Sequence, residues 1–228
     1  NAKLSAMFDN NKITMDVSPK EPMDYLIEQG YLANPNFHSL NYIDNDLSDE
    51  LLNNTHSEAV ILNKLSKSKE RNKKVIDTVV FEVKERKSKV ILFACNIEHA
   101  RQLAFSLNCL DVNAASVDSK NINNKNLIVE AYKTGEIDVL VNCEMLTTGF
   151  DAPETNVAVV ARPTESLVLY LQMIGRALRG YKDRSSKQAE IYTVVDDIAE
   201  FNNINVSFKH WNNMWNEVKE VVNVNSKP

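Results

Sequence analysis

Residues 89–108, Lys-Val-Ile-Leu-Phe-Ala-Cys-Asn-Ile-Glu-His-Ala-Arg-Gln-Leu-Ala-Phe-Ser-Leu-Asn, contain one short apolar run followed by one amphipathic segment. The apolar run, residues 90–94, has the length and composition of a strand that is buried on both faces. The segment after it predicts a helix, because its apolar residues recur at helical spacing on one face. These residues are Ala100, Leu103, Ala104 and Leu107. A doubly buried strand followed by such a helix is typical of a parallel α/β sheet.

The same alternation of strand and helix continues to residue 195. We predict a weak second strand over residues 114–117 and then a helix over residues 123–134 that Gly135 closes. Further strands are predicted over residues 137–141, 157–161 and 191–195, with a helix over residues 165–178 between the last two. The expected fold class is therefore α/β, a parallel sheet with helices on both faces and functional residues beyond the carboxyl ends of its strands.

The segments outside this α/β core differ from it in composition, and we divide the chain into four regions. Residues 1–35 are rich in Asn and Pro, with a short helix over residues 24–29 that Gly30 stops, and we interpret them as an interdomain linker or the remnant of a preceding domain. Residues 36–74 are a helical lead-in, residues 75–200 the α/β domain and residues 201–228 a C-terminal helical extension. The extension carries Trp211 and Trp215 at helical spacing.

Composition limits the classes of protein that fit. The 228 residues are 43% hydrophobic and 25% charged, as in a globular protein, and they contain neither a membrane-length apolar run nor a secretion signal. We expect a cytoplasmic protein with no membrane partner. The three cysteines have no metal-ligand spacing, so we expect buried thiols and no metal site in this chain. The net charge of −5 argues against a surface that is basic all round, although residues 162–187 concentrate positive charge.

Residues 172–179, Gln-Met-Ile-Gly-Arg-Ala-Leu-Arg, are the first candidate site. On the predicted helix, Gln172, Arg176 and Arg179 fall within about a 60° sector. Gly175 between them would let a ligand or another backbone approach. Two guanidinium groups on one edge suit an anion with several oxygens, such as a phosphoryl group. The alternative is a pair of surface arginines engaged in ordinary ion pairs.

Residues 147–153, Thr-Thr-Gly-Phe-Asp-Ala-Pro, are the second candidate site and follow a predicted strand directly. The hydroxyls of Thr147 and Thr148 and the backbone at Gly149 suit phosphates, and Asp151 suits a ribose hydroxyl. Taken alone, the segment is also typical of a tight turn that Pro153 ends.

These two segments resemble motifs V and VI of superfamily 2 helicases, in their usual order and spacing. Residues 90–96 and the helix after them resemble motif IV, and residues 127–141 resemble the lead-in to motif V. The resemblance covers about residues 75–198, and residues 24–32 resemble the linker from the first motor domain. It is nearest to the branch that contains the repair helicase RadD and the motor subunits of type I and type III restriction enzymes. It implies a RecA-like, P-loop NTPase-type fold.

The resemblance implies a role for each matching residue. Arg176 and Arg179 would reach the γ-phosphate of ATP as arginine fingers, and Gln172 would assist that contact or couple it to motif V. Gly149 and Asp151 would face the ribose and the interdomain cleft. The residues implied in contacts with the nucleic-acid backbone are Asn96, Thr147 and Thr148.

The chain lacks the sequence features that would hold ATP and Mg²⁺ on their own. No G-x-x-x-x-G-K-[ST] loop is present, and the single Asp-Glu pair, at residues 49–50, follows no apolar strand. We therefore expect that ATP and Mg²⁺ bind mainly to an N-terminal RecA-like domain of the same protein and that this chain alone is inactive. The expected function is the C-terminal motor domain of an ATP-dependent helicase or translocase, with DNA favoured over RNA as its nucleic-acid partner.

Two other readings remain open at this point. One is a non-catalytic module that uses the basic segment 162–187 to bind nucleic acid or an acidic protein. The other is an independent nucleotide-binding domain for a small molecule, although no G-x-G-x-x-G fingerprint follows any strand.

Overall fold

The computed structural model describes residues 22–45, 47, 57–117, 122–143, 154–164, 166–179 and 188–196. Six strands of these residues form one sheet in which every pairing is parallel, in the order β1-β6-β5-β2-β4-β3. The strands are β1 Asn34–Leu40, β2 Val90–Phe93, β3 Ala114–Val117, β4 Val139–Asn142, β5 Val157–Val160 and β6 Gln188–Val194. This arrangement is the RecA-like α/β fold that the sequence predicts.

Six helices accompany the strands within the described residues. They are α1 Pro22–Glu28, α2 Glu58–Leu65, α3 Lys69–Lys84, α4 Ile97–Asn108, α5 Ile122–Thr134 and α6 Leu167–Ile174. The longest, α3, has 16 residues, and none of the six combines the length and the apolar character needed to cross a bilayer.

The sheet separates two apolar cores because successive side chains of a strand point to opposite faces. On one face, α3 and α4 cover Val90 and Leu92 of β2. On the other face, α5 and α6 pack against Ile91 and Phe93 of the same strand. All four residues of β2 are buried, which explains why this strand is a continuous apolar run without alternation.

The edge strand β1 was not predicted, and it crosses the boundary drawn between residues 35 and 36. Its sequence, Asn-Pro-Asn-Phe-His-Ser-Leu, has little apolar character, and tertiary contacts hold it on β6 instead. Asn36 Nδ2 donates to Glu190 Oε1 at 3.0 Å, and the ring of His38 stacks on Tyr192 with centroids 4.5 Å apart. A proline is tolerated here because β1 lies at the edge of the sheet.

Two other expectations need correction. The helix predicted over residues 165–178 ends at Ile174. Of the cysteines expected to be buried, Cys95 and Cys143 are, whereas Cys109 is exposed. The predicted C-terminal extension, residues 201–228, lies outside the described residues.

Gly135 ends α5 with a φ of 88°, in the left-handed region that favours glycine. A Cβ atom at this position would meet only Lys89 Nζ, at 3.7 Å, so a side chain is opposed by backbone strain and not by crowding.

We expect Gly135→Ala to lower the free energy of unfolding by about 1 kcal/mol, and Gly135→Asn to lower it by less, because asparagine tolerates this φ better than alanine. Urea unfolding of the 228-residue chain and its two variants tests this. Equal losses in the two variants would show that φ strain is not the cause.

Candidate functional site

The carboxyl ends of the strands bring polar side chains from distant parts of the chain to one edge of the sheet. Asn96 follows β2, Arg162 follows β5 and Asp196 follows β6. The helices α3, α4 and α6 begin at this same edge, capped by the side chains of Ser68, Asn96 and Ser166. Helix N-termini and polar loop residues thus lie where ligands bind in open parallel sheets.

The segment with the two arginines starts on α6 and continues beyond its end. Gly175 is the C-cap of α6, and the chain then turns more tightly than an α-helix. The N–H of Arg176 donates to the carbonyl three residues earlier at 3.3 Å, and that of Ala177 does the same at 2.9 Å. Arg176 and Arg179 therefore lie past the helix, and the sector predicted from α-helical geometry does not apply to them.

Gly175 has a local structural reason to be glycine. A Cβ atom there would lie 2.8 Å from the carbonyl oxygen of Leu171, a distance that real Cβ atoms essentially never show. Any side chain would force this turn open and move the arginine that follows. The backbone that Gly175 accommodates is thus that of its own helix.

Buried side chains hold the arginine segment from below. Tyr170, Ile174 and Ala177 are buried in the core between α6 and the sheet. The hydroxyl of Tyr170 also hydrogen-bonds Thr193 Oγ1 of β6 at 3.0 Å. This underside fixes the segment on the sheet, while the other side remains accessible.

The three candidate side chains of this segment lie on the accessible side. Gln172 is exposed, and Arg176 and Arg179 are partly exposed. The amide and both guanidinium groups come from one short segment, residues 172–179, and each is a donor suited to an anion with several oxygens. The other candidates for the nucleotide and its surroundings lie outside the described residues, namely Thr147, Thr148, Gly149 and Asp151.

Asn96 has a structural role at the start of α4. Its Oδ1 accepts from the backbone N–H of His99 at 2.8 Å, and its Nδ2 donates to Ser66 Oγ at 3.2 Å. The first of these contacts is an N-cap and the second ties α4 to the end of α2. The predicted contact of Asn96 with nucleic acid would have to coexist with both bonds, and it stays a prediction.

A buried ion pair at this edge was not found from the sequence. The side chains of Arg71 on α3 and Asp196 after β6 are 0% and 1% exposed. Arg71 Nε and Nη2 donate to the two carboxylate oxygens at 2.7 and 2.9 Å, and Nη2 also donates to the carbonyl of Ala161 at 2.6 Å. Tyr42 donates to Asp196 Oδ1 at 2.7 Å. The sequence feature that could have indicated this ion pair is an acidic residue, Asp196, directly after a predicted buried strand. Its partner Arg71 could not be recognised because it lies 125 residues away.

The neutral state of His99 is fixed by its surroundings. Its Nδ1 accepts from the backbone N–H of Cys95 at 3.2 Å, so Nε2 carries the proton and donates to Asn72 Oδ1 at 2.9 Å. Burial, together with the positive charge of Arg71, lowers the pKa of His99 to about 3. His99 is therefore an uncharged link between the end of β2 and α3.

This pKa shift predicts a pH dependence of stability. Below the ordinary pKa of 6.5, the unfolded chain takes up a proton at His99 that the folded chain refuses until about pH 3. Stability is therefore fully present above pH 6.5 and falls as pH falls, by about 1.5 kcal/mol between pH 6.5 and pH 5 from this residue alone. We expect His99→Gln to remove that portion of the slope.

Denaturant unfolding of both chains at several pH values measures the difference. The other titrating groups are shared, so the comparison isolates His99. Parallel pH profiles for the two chains would contradict the assignment.

Comparison with known proteins places this geometry in a family. Residues 70–181 match the family described as Helicase conserved C-terminal domain. IRC3 of Saccharomyces cerevisiae, whose name describes an ATP-dependent helicase, is 32% identical over 157 residues, which are 68% of this chain and 22% of IRC3. A 51.5 kDa protein of a Lactococcus phage is 34% identical over 99 residues, which are 43% of this chain and 22% of the phage protein. The chain thus spans about a fifth of the length of these relatives.

Solved structures with low sequence identity share the fold. A fragment described as an HsdR subunit of a type I restriction enzyme from Vibrio vulnificus YJ016 superposes with a TM-score of 0.58 at 22% identity, covering 74% of this chain and 33% of the fragment. The C-terminal domain of the DEAD-box protein Dbp5 gives 0.52 at 15% identity, covering 69% of this chain and 92% of that domain. The family match and the relatives agree that residues 70–181 of this chain are a helicase conserved C-terminal domain, and the solved structures share its α/β fold.

Proposed function

We propose that this chain is the C-terminal motor domain of an ATP-dependent nucleic-acid helicase or translocase and that it supplies two arginine fingers. The observation that carries the proposal is that Arg176, on the turn after α6, and Arg179, just beyond it, are both partly exposed in a segment that buried side chains hold on the sheet. The remainder of the motor is proposed to be an N-terminal RecA-like domain of the same protein.

The chemistry of the segment fits the charge that develops on a phosphoryl group in transfer. Guanidinium is permanently charged and presents a planar fork of donors, so Arg176 and Arg179 can stabilise negative charge on equatorial oxygens without losing a proton. The exposed amide of Gln172 adds a neutral donor beside them. Because the buried underside sets the backbone beforehand, little reorganisation is needed when the two motor domains close on the nucleotide.

ATP and Mg²⁺ are proposed to bind mainly on the N-terminal domain. ATP supplies the phosphoryl group that is transferred to water. Within the described residues, the donors proposed for this cofactor are Gln172, Arg176 and Arg179, which suit its phosphates, and none of the three is a carboxylate that would hold Mg²⁺. Gly149 and Asp151 are proposed to face the ribose and the interdomain cleft.

Nucleic acid is proposed to run along the carboxyl edge of the sheet, with DNA favoured over RNA. Asn96, Thr147 and Thr148 are the proposed contacts to its backbone. Contacts of this kind carry no sequence information, as a motor that moves along any sequence requires. A cytoplasmic location, inferred from the sequence, belongs to the same proposal.

The arginine assignment predicts a large loss of turnover in the complete protein. We expect Arg176→Ala and Arg179→Ala each to lower nucleic-acid-stimulated ATPase kcat by about a thousand-fold, the usual effect of removing an arginine finger. Lys133→Ala is a matched control, because it removes a partly exposed positive charge from the last turn of α5, where that helix approaches the amino edge of the sheet.

The same assay separates this proposal from a non-catalytic binding module that uses the basic segment 162–187. A binding module predicts full ATPase activity in both arginine variants and binding to nucleic acid that ATP does not alter. ATP turnover by the isolated 228-residue chain would also contradict the proposal, because this chain is expected to be inactive alone.

A further inference from the structure

The end of the N-terminal linker segment pairs directly with the arginine segment. The backbone N–H of Ala33 donates to the carbonyl of Leu178 at 3.1 Å, and Leu32 forms an antiparallel β-bridge with Arg179. Nearly 150 residues of chain separate the two partners. The residue that precedes the second arginine is therefore held by a hydrogen bond from the part of the chain that leads into β1.

Backbone hydrogen bonds fix the few residues of the linker segment that lie between α1 and this bridge. Gly30 follows α1 with a φ of 74°, in the left-handed region. The N–H groups of Tyr31 and Leu32 then both donate to the carbonyl of Leu26, at 2.8 and 3.1 Å. The bond from Tyr31, together with that from the N–H of Gly30 to the carbonyl of Ile27 at 3.0 Å, is a Schellman-type helix C-terminus, and the bond from Leu32 adds to it. A displacement of α1 is thus transmitted through two residues to the bridge with Arg179.

Side-chain packing supports the bridge from within the domain. Ala33 is 1% exposed and belongs to the same apolar core as Ala177 and Leu178. Its small side chain lets the two backbones approach closely. Because the surroundings of this N–H are dry, water does not readily replace the bond if it is lost, and the carbonyl of Leu178 would remain unsatisfied.

We infer that Ala33 is a positioning residue for Arg179. Its backbone N–H sets the place of the Leu178 carbonyl and, through the next peptide, the direction in which the Arg179 side chain leaves the domain. The segment from α1 to residue 33 thereby links the preceding part of the protein to the guanidinium group of Arg179. This inference rests on the proposed function, in which Arg179 acts on a nucleotide held by the preceding domain.

The expected consequence is a loss of rate with little loss of nucleotide affinity. A catalytic group that is misplaced by about 1 Å costs on the order of a hundred-fold in rate. Loss of one anchoring bond displaces Arg179 by less than this, since the apolar core still holds Ala177 and Leu178. We therefore expect kcat to fall by roughly ten-fold and KM for ATP to stay within about two-fold.

The sharpest test replaces the Ala33 amide with an ester in the complete protein. Ala33→lactic acid, introduced by nonsense suppression, changes one N–H to an oxygen and leaves the side chain in place. Ala114→lactic acid is the matched control, since its N–H donates to Asn108 Oδ1 at 3.1 Å at the opposite edge strand of the sheet. The Ala33 ester is expected to lower nucleic-acid-stimulated kcat, and the Ala114 ester to leave it unchanged.

The same ester in an Arg179→Ala background separates positioning from general destabilisation. If Ala33 acts through Arg179, the ester lowers the single-turnover rate no further once that arginine is gone. An equal loss in both backgrounds would overturn the inference, and so would an Ala33 ester with unchanged kcat. Full activity of Arg179→Ala itself would instead overturn the proposed function, so the two failures are distinguishable.

Discussion

Arg71 and Asp196 bring opposite charges out of water at the point where β5 and β6 end, and the carboxyl edge depends on how this burial is compensated. Removing two such ions from water costs several kcal/mol each unless hydrogen bonds satisfy them. Here the guanidinium makes two bonds to the carboxylate and one to the carbonyl of Ala161, and Tyr42 adds a bond to the carboxylate. Together these bonds connect α3, the ends of β5 and β6, and Tyr42 after β1, so these elements keep one arrangement. The connection from β5 to α6, the helix that leads into the arginine segment, begins at one of these fixed points, Ala161.

The two faces of the sheet contribute differently to the site. The face with α3 and α4 carries the polar links from Arg71 to the carbonyl of Ala161 and from His99 to Asn72, which tie α3 to the end of β5 and to the start of α4. The face with α6 is almost wholly apolar beneath the arginine segment, and the hydroxyl pair of Tyr170 and Thr193 is its polar exception among the contacts described above. This apolar underside holds the arginine segment by packing, so buried side chains and backbone bonds set its place on the sheet.

An element of this fold could be predicted from the sequence where residues close to it in the sequence determine its structure. The strands β2, β4 and β5 follow from apolar runs whose neighbours in sequence already indicate burial, whereas β3, which is only partly buried, gives a weak signal. The strand β1 does not follow from such a run, because the polar contacts of Asn36 and His38 with Glu190 and the stacking of His38 on Tyr192 stabilise it, and both partners are more than 150 residues away. The end of α6 was placed too late because Leu178 continues the helical spacing of apolar residues, although the chain reaches the same core through tighter turns after Gly175. Helical periodicity reports which side is buried and does not report where the helix stops.

The candidate site shows the same limit at the level of single side chains. Gln172, Arg176 and Arg179 were identified because the chemistry of each is visible in its residue type and spacing. The backbone bond from Ala33 has no such signature, since any residue except proline offers that N–H. The net charge of −5 adds a further constraint, because it provides no overall attraction for a polyanion, and salt screens individual charges beyond about one Debye length, roughly 10 Å. In the proposed function, the arginines then attract phosphates only at short range. At short range the direction of a guanidinium group matters as much as its charge. A backbone contact that sets this direction therefore has a functional role.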